Sequence, residues 1–458
     1  MLRHVTLAVV AILAGGMLGP ARVWASTAEV FGLGSTESAL AGASAARVRD
    51  FSAVHYDPAG LTRLEGPQAT VGVLGFGSRL TIDDRNGRRA AGRLVDPAGV
   101  VIGAGAPIPF RGVLEGRLFI AIALFVPRDI VRVIARGPEE AFFPYYDNRT
   151  QRLIVVPALA ARLGRGLSLG IAANFLAGLN GRILASEGAI RAIEARVDEQ
   201  TISTVAMNVG LRWQSPQDRV AAALVYRQAF SVPFTTQAQT VVAGQRLDIN
   251  IAAAGLYTPH TLVVGGALRL RPWLLLSADV TVAFWSAWDG PYVRVSAVLP
   301  ILGPLSPSPP RLRFHDVVSP RVGVEIDRPL SPRWQLAVRA GAGFESSAIP
   351  ARQTGITNLL DGEKGIFAAG LGTRVKAGSV GVRVDLHGQV QVVRSRTLVK
   401  RLADPGTQPD PVDAVRDEVP DDPSRPETLG PQVSNPGWPR ISGGGAVWSA
   451  GLAITVER

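Results

Sequence analysis

The sequence predicts an all-β chain, a transmembrane antiparallel β-barrel of about fourteen strands, on three observations. Between residues 69 and 456 it runs in paired segments of roughly ten to thirteen residues that alternate apolar and polar. Tiny turns at 164–166, 215–218, 271–272, 329–332 and 377–379 join the members of a pair, and long loops fall between pairs, as a barrel with one short-turn end and one long-loop end requires. Past the amino terminus, no stretch approaches the ~20 apolar residues of a membrane helix.

Taken in chain order, residues 1–25 read as a signal peptide. Arg3 and His4 give a short polar start, 5–18 an apolar core, and Val23-Trp24-Ala25 the small residues before a cut at Ser26. Export follows. Residues 26–65 precede the first strand and are long enough to fold inside a barrel, and 66–458 form the barrel itself. The strands are expected at 69–80, 98–108, 117–127, 152–163, 167–179, 201–213, 219–230, 258–270, 273–285, 318–328, 333–345, 364–377, 380–394 and 441–456. Residues 242–252 leave open a further strand or a hairpin within their loop.

The strand at 380–392 shows the pattern best. Val382, Val384, Leu386, Val390 and Val392 share one face, and Arg383, Asp385, His387, Gln389 and Gln391 share the other. Val205, Met207, Val209, Leu211 and Trp213 stand opposite Thr204, Asn208 and Arg212 in the same way, as do Trp334, Leu336, Val338 and Phe344 opposite Gln335 and Arg339. One face then meets lipid and the other a polar lumen. A soluble sandwich alternates too, but soluble strands are usually nearer five or six residues. Trp213, Trp285 and Trp334, at strand ends, suit interfacial girdles or core packing.

A lumen of this width must be filled or must conduct, so the stretch before the first strand matters. It contains GASAARVRDFSAVHYDPAGL at 42–61, small residues with a turn at Asp57-Pro58-Ala59-Gly60. This resembles the amino-terminal hatch of the FadL family of outer-membrane transporters for long-chain fatty acids and other hydrophobic compounds, whose signature is Asn-Pro-Ala. Further likeness lies in ALFVP at 123–127, PALAARLGRGLSLGIAANF at 157–175 and SADVTVAFWSAW at 277–288, in the family's order and spacing. Asp57 departs from the family's asparagine, so either an arginine pairs with it or its pKa rises.

The resemblance implies a monomer in the outer membrane of a Gram-negative bacterium, passing hydrophobic ligands (fatty acid or hydrocarbon) inward under control of the hatch. Family analogy adds sideways exit through a kink in the third strand, where Pro127, lacking an N–H, is the candidate. Phe142, Phe143, Tyr145 and Tyr146 form an aromatic cluster in the loop after that strand, for ligand capture or for packing over the mouth. Ile190, Ile193 and Val197 have helical spacing and suggest a short amphipathic helix at the mouth, and 298–305 is another apolar patch. A cationic end for a fatty acid is available from Arg212, Arg339, Arg374 or Arg383. Residues 397–440, rich in proline and acid, read as an outer loop without the spaced ligands of a calcium site.

Composition narrows the alternatives. The net charge of +11 comes from arginines spread singly, with only three lysines, and without a basic cluster it does not indicate nucleic-acid binding. Outer-loop arginines suit membrane lipid and lipopolysaccharide instead. The absence of cysteine removes thiol catalysis and thiolate metal sites, the five histidines lack metal-binding spacing, and no cofactor is implied. Gly166-Leu167-Ser168-Leu169-Gly170 matches a serine-hydrolase elbow only in letters, since the serine begins a strand instead of standing on a strand-to-helix turn. A barrel enzyme is thereby disfavoured. The stronger rival is a diffusion porin, which has no need of the forty residues before the first strand, and a structural or adhesive barrel is a third class.

Overall fold

The computed structural model describes residues 28–83, 89–92, 98–127, 141–147, 154–187, 193–242, 245–288, 290, 293–299, 303–305, 313–353, 358–400 and 440–458. Residues 1–25, read above as a signal peptide, and 401–439 of the expected acidic outer loop lie outside them. The wall strands are β1 (Gln68–Asp83), β2 (Ala98–Pro107), β3 (Leu118–Pro127), β4 (Ile154–Gly164), β5 (Leu167–Glu187), β6 (Ile193–Gln214) and β7 (Val220–Arg227). Then follow β8 (Thr261–Arg271), β9 (Leu274–Ala283), β10 (Val317–Ser331), β11 (Trp334–Glu345), β12 (Lys364–Ala377), β13 (Val380–Lys400) and β14 (Arg440–Glu457). Each pairs antiparallel with its sequence neighbours, and β1 pairs with β14 from Gln68↔Glu457 to Asp83↔Ser442, closing a ring of 14 strands. Closure leaves no edge.

The expected turns are where the ladders reverse. Arg165 and Gly166 between β4 and β5 both have positive φ, 52° and 80°, as a two-residue turn matched to strand twist needs, and Gly378 with φ 65° serves between β12 and β13. The alternation sorts as read. Leu386 and Val392 of β13 face outward, while Asp385, His387, Gln389 and Gln391 are buried in the lumen. Trp213 and Trp334 are 41% and 48% exposed on the outer surface near the short-turn end, but Trp285 is 2% exposed and lies in the interior at the loop end. Trp285 is therefore no girdle residue, because its segment turns inward as a short 3-10 helix (Trp285–Ala287). An exterior carrying Val73, Ile122, Leu159, Val264, Val322 and Leu371 in the open suits hydrocarbon, not water.

At the loop end, β5 and β6 run on as one hairpin to Glu187↔Ile193. The expected helix is corrected: Val197 pairs with Ile183 in this ladder, and Ile190 lies outside the described residues. β-branched residues with a partner strand already in register prefer the ladder. The open question at 242–252 resolves as a hairpin of Phe230–Val242 with Gln245–Thr258, which pairs with Val293–Leu299 and in parallel with 180–184 of β5. In the apolar patch, 297–299 pair with 303–305.

Residues 28–66 pack against the inward faces of strands around the ring. What admits them is a set of wall glycines. A Cβ at Gly103 of β2 would overlap Phe51, at Gly170 of β5 the backbone of Pro58 and Ala59, at Gly210 of β6 Asp57, and at Gly341 of β11 the backbone of Leu40. On one side the contact is apolar, with Phe51, Val54, Leu61 and Leu64 in one cluster with Val101, Phe119, Ala121, Ala123, Val156 and Ala158 of β2–β4. Gly170→Val is expected to unseat residues 57–60 at a cost of about 1–3 kcal/mol while the ring stays closed. Trypsin should then cut at Arg47, Arg49 or Arg63 severalfold faster in barrels that still migrate as folded, and unchanged cutting would contradict so close a seat.

Candidate functional site

Opposite the apolar contact, the inner segment is held by charge. Arg47 donates to Glu37 at 2.8 Å and to Glu325 of β10, and Glu325 also accepts from Arg339 of β11 at 2.5 Å. Arg339 reaches Asp385 of β13 at 2.7 Å, Asp385 is ion-paired with Arg383 at 2.9 Å, and Arg383 returns to Asp50 of the inner segment at 2.8 Å. The circuit starts and ends on the inner segment. Hydrogen bonds to the backbone add to it: the amides of Ser44 and Ala45 donate to Asp279 of β9 at 2.7 and 2.8 Å, Arg321 of β10 donates to the Ala41 carbonyl at 3.1 Å, and Gln391 to that of Val30 at 2.6 Å. Removing one member of a buried pair leaves a charge without compensation, which typically costs about 3–5 kcal/mol.

The Asp57-Pro58-Ala59-Gly60 turn caps a 3-10 helix (Pro58–Arg63). Asp57 is extended at φ −158°, its Oδ1 accepts from the Ala59 amide at 3.0 Å, and Pro58 opens the helix where its missing N–H costs nothing. Gly60 is needed because a Cβ there would stand 2.7 Å from the Val48 side chain. The cap uses one oxygen, which asparagine supplies equally well. The other, Oδ2, is buried without a hydrogen bond and has only Arg212 of β6 at 3.9 Å. Both sequence alternatives hold: an arginine stands nearby, and burial still pushes Asp57 up to about 7 against the pull of Arg212. Ser168 of the elbow-like stretch sits in β5 and accepts from Thr62 of the same 3-10 helix at 3.1 Å.

Above the inner segment, toward the loops, lies a cavity of about 90 Å³. Tyr145, Phe230 and Trp285 line it with aromatic rings, Arg227, Arg321, Asp279 and Glu345 line it with charge, and His55 and Tyr56 come from the inner segment. Burial, and next the charge of Arg227, hold His55 well below its ordinary value, so His55 is uncharged there. The aromatic cluster read at 142–146 is buried, not presented to water. Tyr145 meets Trp285 at 6.2 Å between ring centroids and lies under Lys364 Nζ at 4.0 Å, while Tyr146 donates to Gln391 at 3.1 Å. Tyr257, Trp288 and Phe314 extend the cluster, with Tyr257 and Trp288 stacked at 5.4 Å and Trp288 and Phe314 at 4.8 Å. Sequence reading missed Tyr257 and Phe314, since each stands alone in its own segment.

Of the four candidate cationic ends, Arg339 and Arg383 are committed to the charge circuit and Arg374 to Glu457 of β14. Arg212 is 1% exposed, with Nε and Nη2 lacking hydrogen bonds. The backbone of Pro127 pairs with Gly99 of β2, and the ladders on both sides of β3 run without a register shift. An interruption occurs one strand on. Between β4 and β5 the pairing passes from Val155↔Phe175 to Ala158↔Ala172, omitting Val156 and Pro157, and proline has no N–H to donate.

The raised pKa of Asp57 makes a pH prediction. Its folded-state value lies above the ordinary 3.8, so stability is fullest below pH 4 and is lost as pH rises toward 7. Glu37, which burial pushes up to about 7, behaves alike. Asp57→Asn is expected to protect residues 44–62 from hydrogen exchange more than the native chain at pH 8, by on the order of 1–3 kcal/mol, and to make little difference at pH 4. Equal protection at both pH values would show that Asp57 carries no such penalty.

No family model matches the chain, and no curated protein matches its sequence. Solved structures do match it. A FadL homologue of Pseudomonas aeruginosa aligns over 93% of this chain and 97% of its own, at 12% identity and a TM-score of 0.52. The P. putida toluene transporter TodX aligns over 94% and 99% at 12% identity and 0.56, and the CymD monoaromatic hydrocarbon channel over 93% and 97% at 14% identity and 0.52. With 14 strands closed in sequence order, this chain has the FadL-type barrel fold.

Proposed function

We propose that this protein is an outer-membrane channel for passive uptake of hydrophobic compounds, caught at the aromatic mouth and gated by residues 28–66 acting as a hatch. The carrying observation is the mouth cavity of Tyr145, Phe230 and Trp285 resting directly on that segment. A molecule entering there meets apolar rings first and the hatch next. Long-chain fatty acids and aromatic hydrocarbons both offer an apolar part to the rings, Arg227 and Arg321 line the same cavity, and the neighbours described as a toluene transporter and a monoaromatic hydrocarbon channel favour the second. A diffusion porin is a poorer reading, because the wall glycines and the charge circuit both serve to hold a filling in place.

Sideways release is part of the proposal. The mouth cavity reaches Asn174 of β5, which stands opposite Val156 where the β4–β5 ladder is interrupted, so the wall there has fewer bonds to break than beside Pro127. In a bacterium lacking its own hydrophobic-compound channels, the native chain is expected to restore uptake of labelled oleate or toluene. Tyr145→Ala combined with Trp285→Ala should cut that uptake at least fivefold with insertion unchanged, about 1 kcal/mol or more at the mouth. Steady ionic conductance of the native barrel in planar bilayers, without uptake of either compound, would establish the porin instead.

A further inference from the structure

At the opposite, short-turn end, a second cavity of about 260 Å³ opens beneath the inner segment. Seven basic and four acidic side chains line it, an excess of three positive charges. Some of the basic groups are spent: Arg339 and Arg383 are in the charge circuit, and Arg374 is on Glu457. Others are not. Among the described residues Arg49 makes one long ion pair, with Asp327 at 3.9 Å, and Lys376 pairs with no carboxylate. Arg63 bonds Asp218 at 3.2 Å, but Asp218 is shared with Arg269 at 3.6 Å. Burial first, and then the charge of Arg212, push Arg63 down to about 10.

We propose that this vestibule is a binding site for a phosphate-type oxyanion, taken between the floor of the inner segment (Arg49, Arg63) and Lys376 of the wall. Cations converge on it from a loop, a 3-10 helix and β12, and a doubly charged tetrahedral group with several oxygens answers all of them, whereas a planar carboxylate is satisfied by one arginine fork. Occupancy offsets the like-charge crowding and ties the inner segment to β12. The site stands apart from the mouth cavity, so it holds or fails independently of the uptake reading.

The test is calorimetric titration of the full chain, in a neutral detergent at low salt, with inorganic phosphate and with chloride as the control anion. Saturable phosphate binding is expected, about five- to tenfold weaker in Arg49→Gln and in Lys376→Gln, with chloride unable to replace it at equal concentration. Bound phosphate should also slow trypsin cutting at Arg49 and Arg63. No saturable heat, affinities equal to native in both variants, or equal competition by chloride would overturn the site and leave only diffuse positive charge. Repeating the titration in phospholipid nanodiscs separates the sources: retained capacity assigns the site to free phosphate, and lost capacity assigns it to a lipid headgroup.

Discussion

The circuit of Arg47, Glu325, Arg339, Asp385, Arg383 and Asp50 is the constraint on which the interior depends. A barrel of this width places charged side chains on its inner face because the outer face is given to hydrocarbon. Once the lumen is filled, those charges lose their water, and each needs a partner that the wall alone does not supply in full. The inner segment completes the set at both ends. Filling and wall are thus each the condition of the other's charge state.

The two sides of the inner segment are held by different physics. Toward β2–β4 the contact is apolar and non-directional, with Phe51 and Leu64 set among alanines and phenylalanines. Toward β9–β13 it is directional, built from ion pairs and from amides aimed at carboxylates such as Asp279. Glycines at 103, 170, 210 and 341 bring the backbones near enough for both kinds of contact to form. Cavities occur above and below this layer, one with aromatic rings beside balanced charges and the other with an excess of cations, so the two ends of the lumen differ in chemistry.

Much of the wall was legible in the sequence because strand alternation and turn chemistry are local. Leu386 against Asp385 and the pair Arg165-Gly166 say where they belong without knowledge of any other segment. The interior was legible only in part. Asp57 announced its problem by its charge, and Arg212 was visible as a lumen-facing cation, but Arg47 and Glu325 lie 278 positions apart and nothing in either neighbourhood names the other. The supposed helix over 190–197 failed for the same reason. Ile193 and Val197 were read at helical spacing without the partner at 183–187 that makes them part of a strand. Pro157 was quoted for likeness alone, and its missing N–H gained meaning only once β5 was placed beside it.

The divided attachment has a thermal consequence. Apolar contact weakens on cooling, because its driving force at ordinary temperature is the entropy of water. Ion pairs also lose on cooling, since hydration of free charges becomes more favourable and burying them more costly. Here both act on the same forty-residue layer from opposite sides. Cold therefore loosens the layer at both contacts together, and warmth within the stable range of the barrel seats it more firmly.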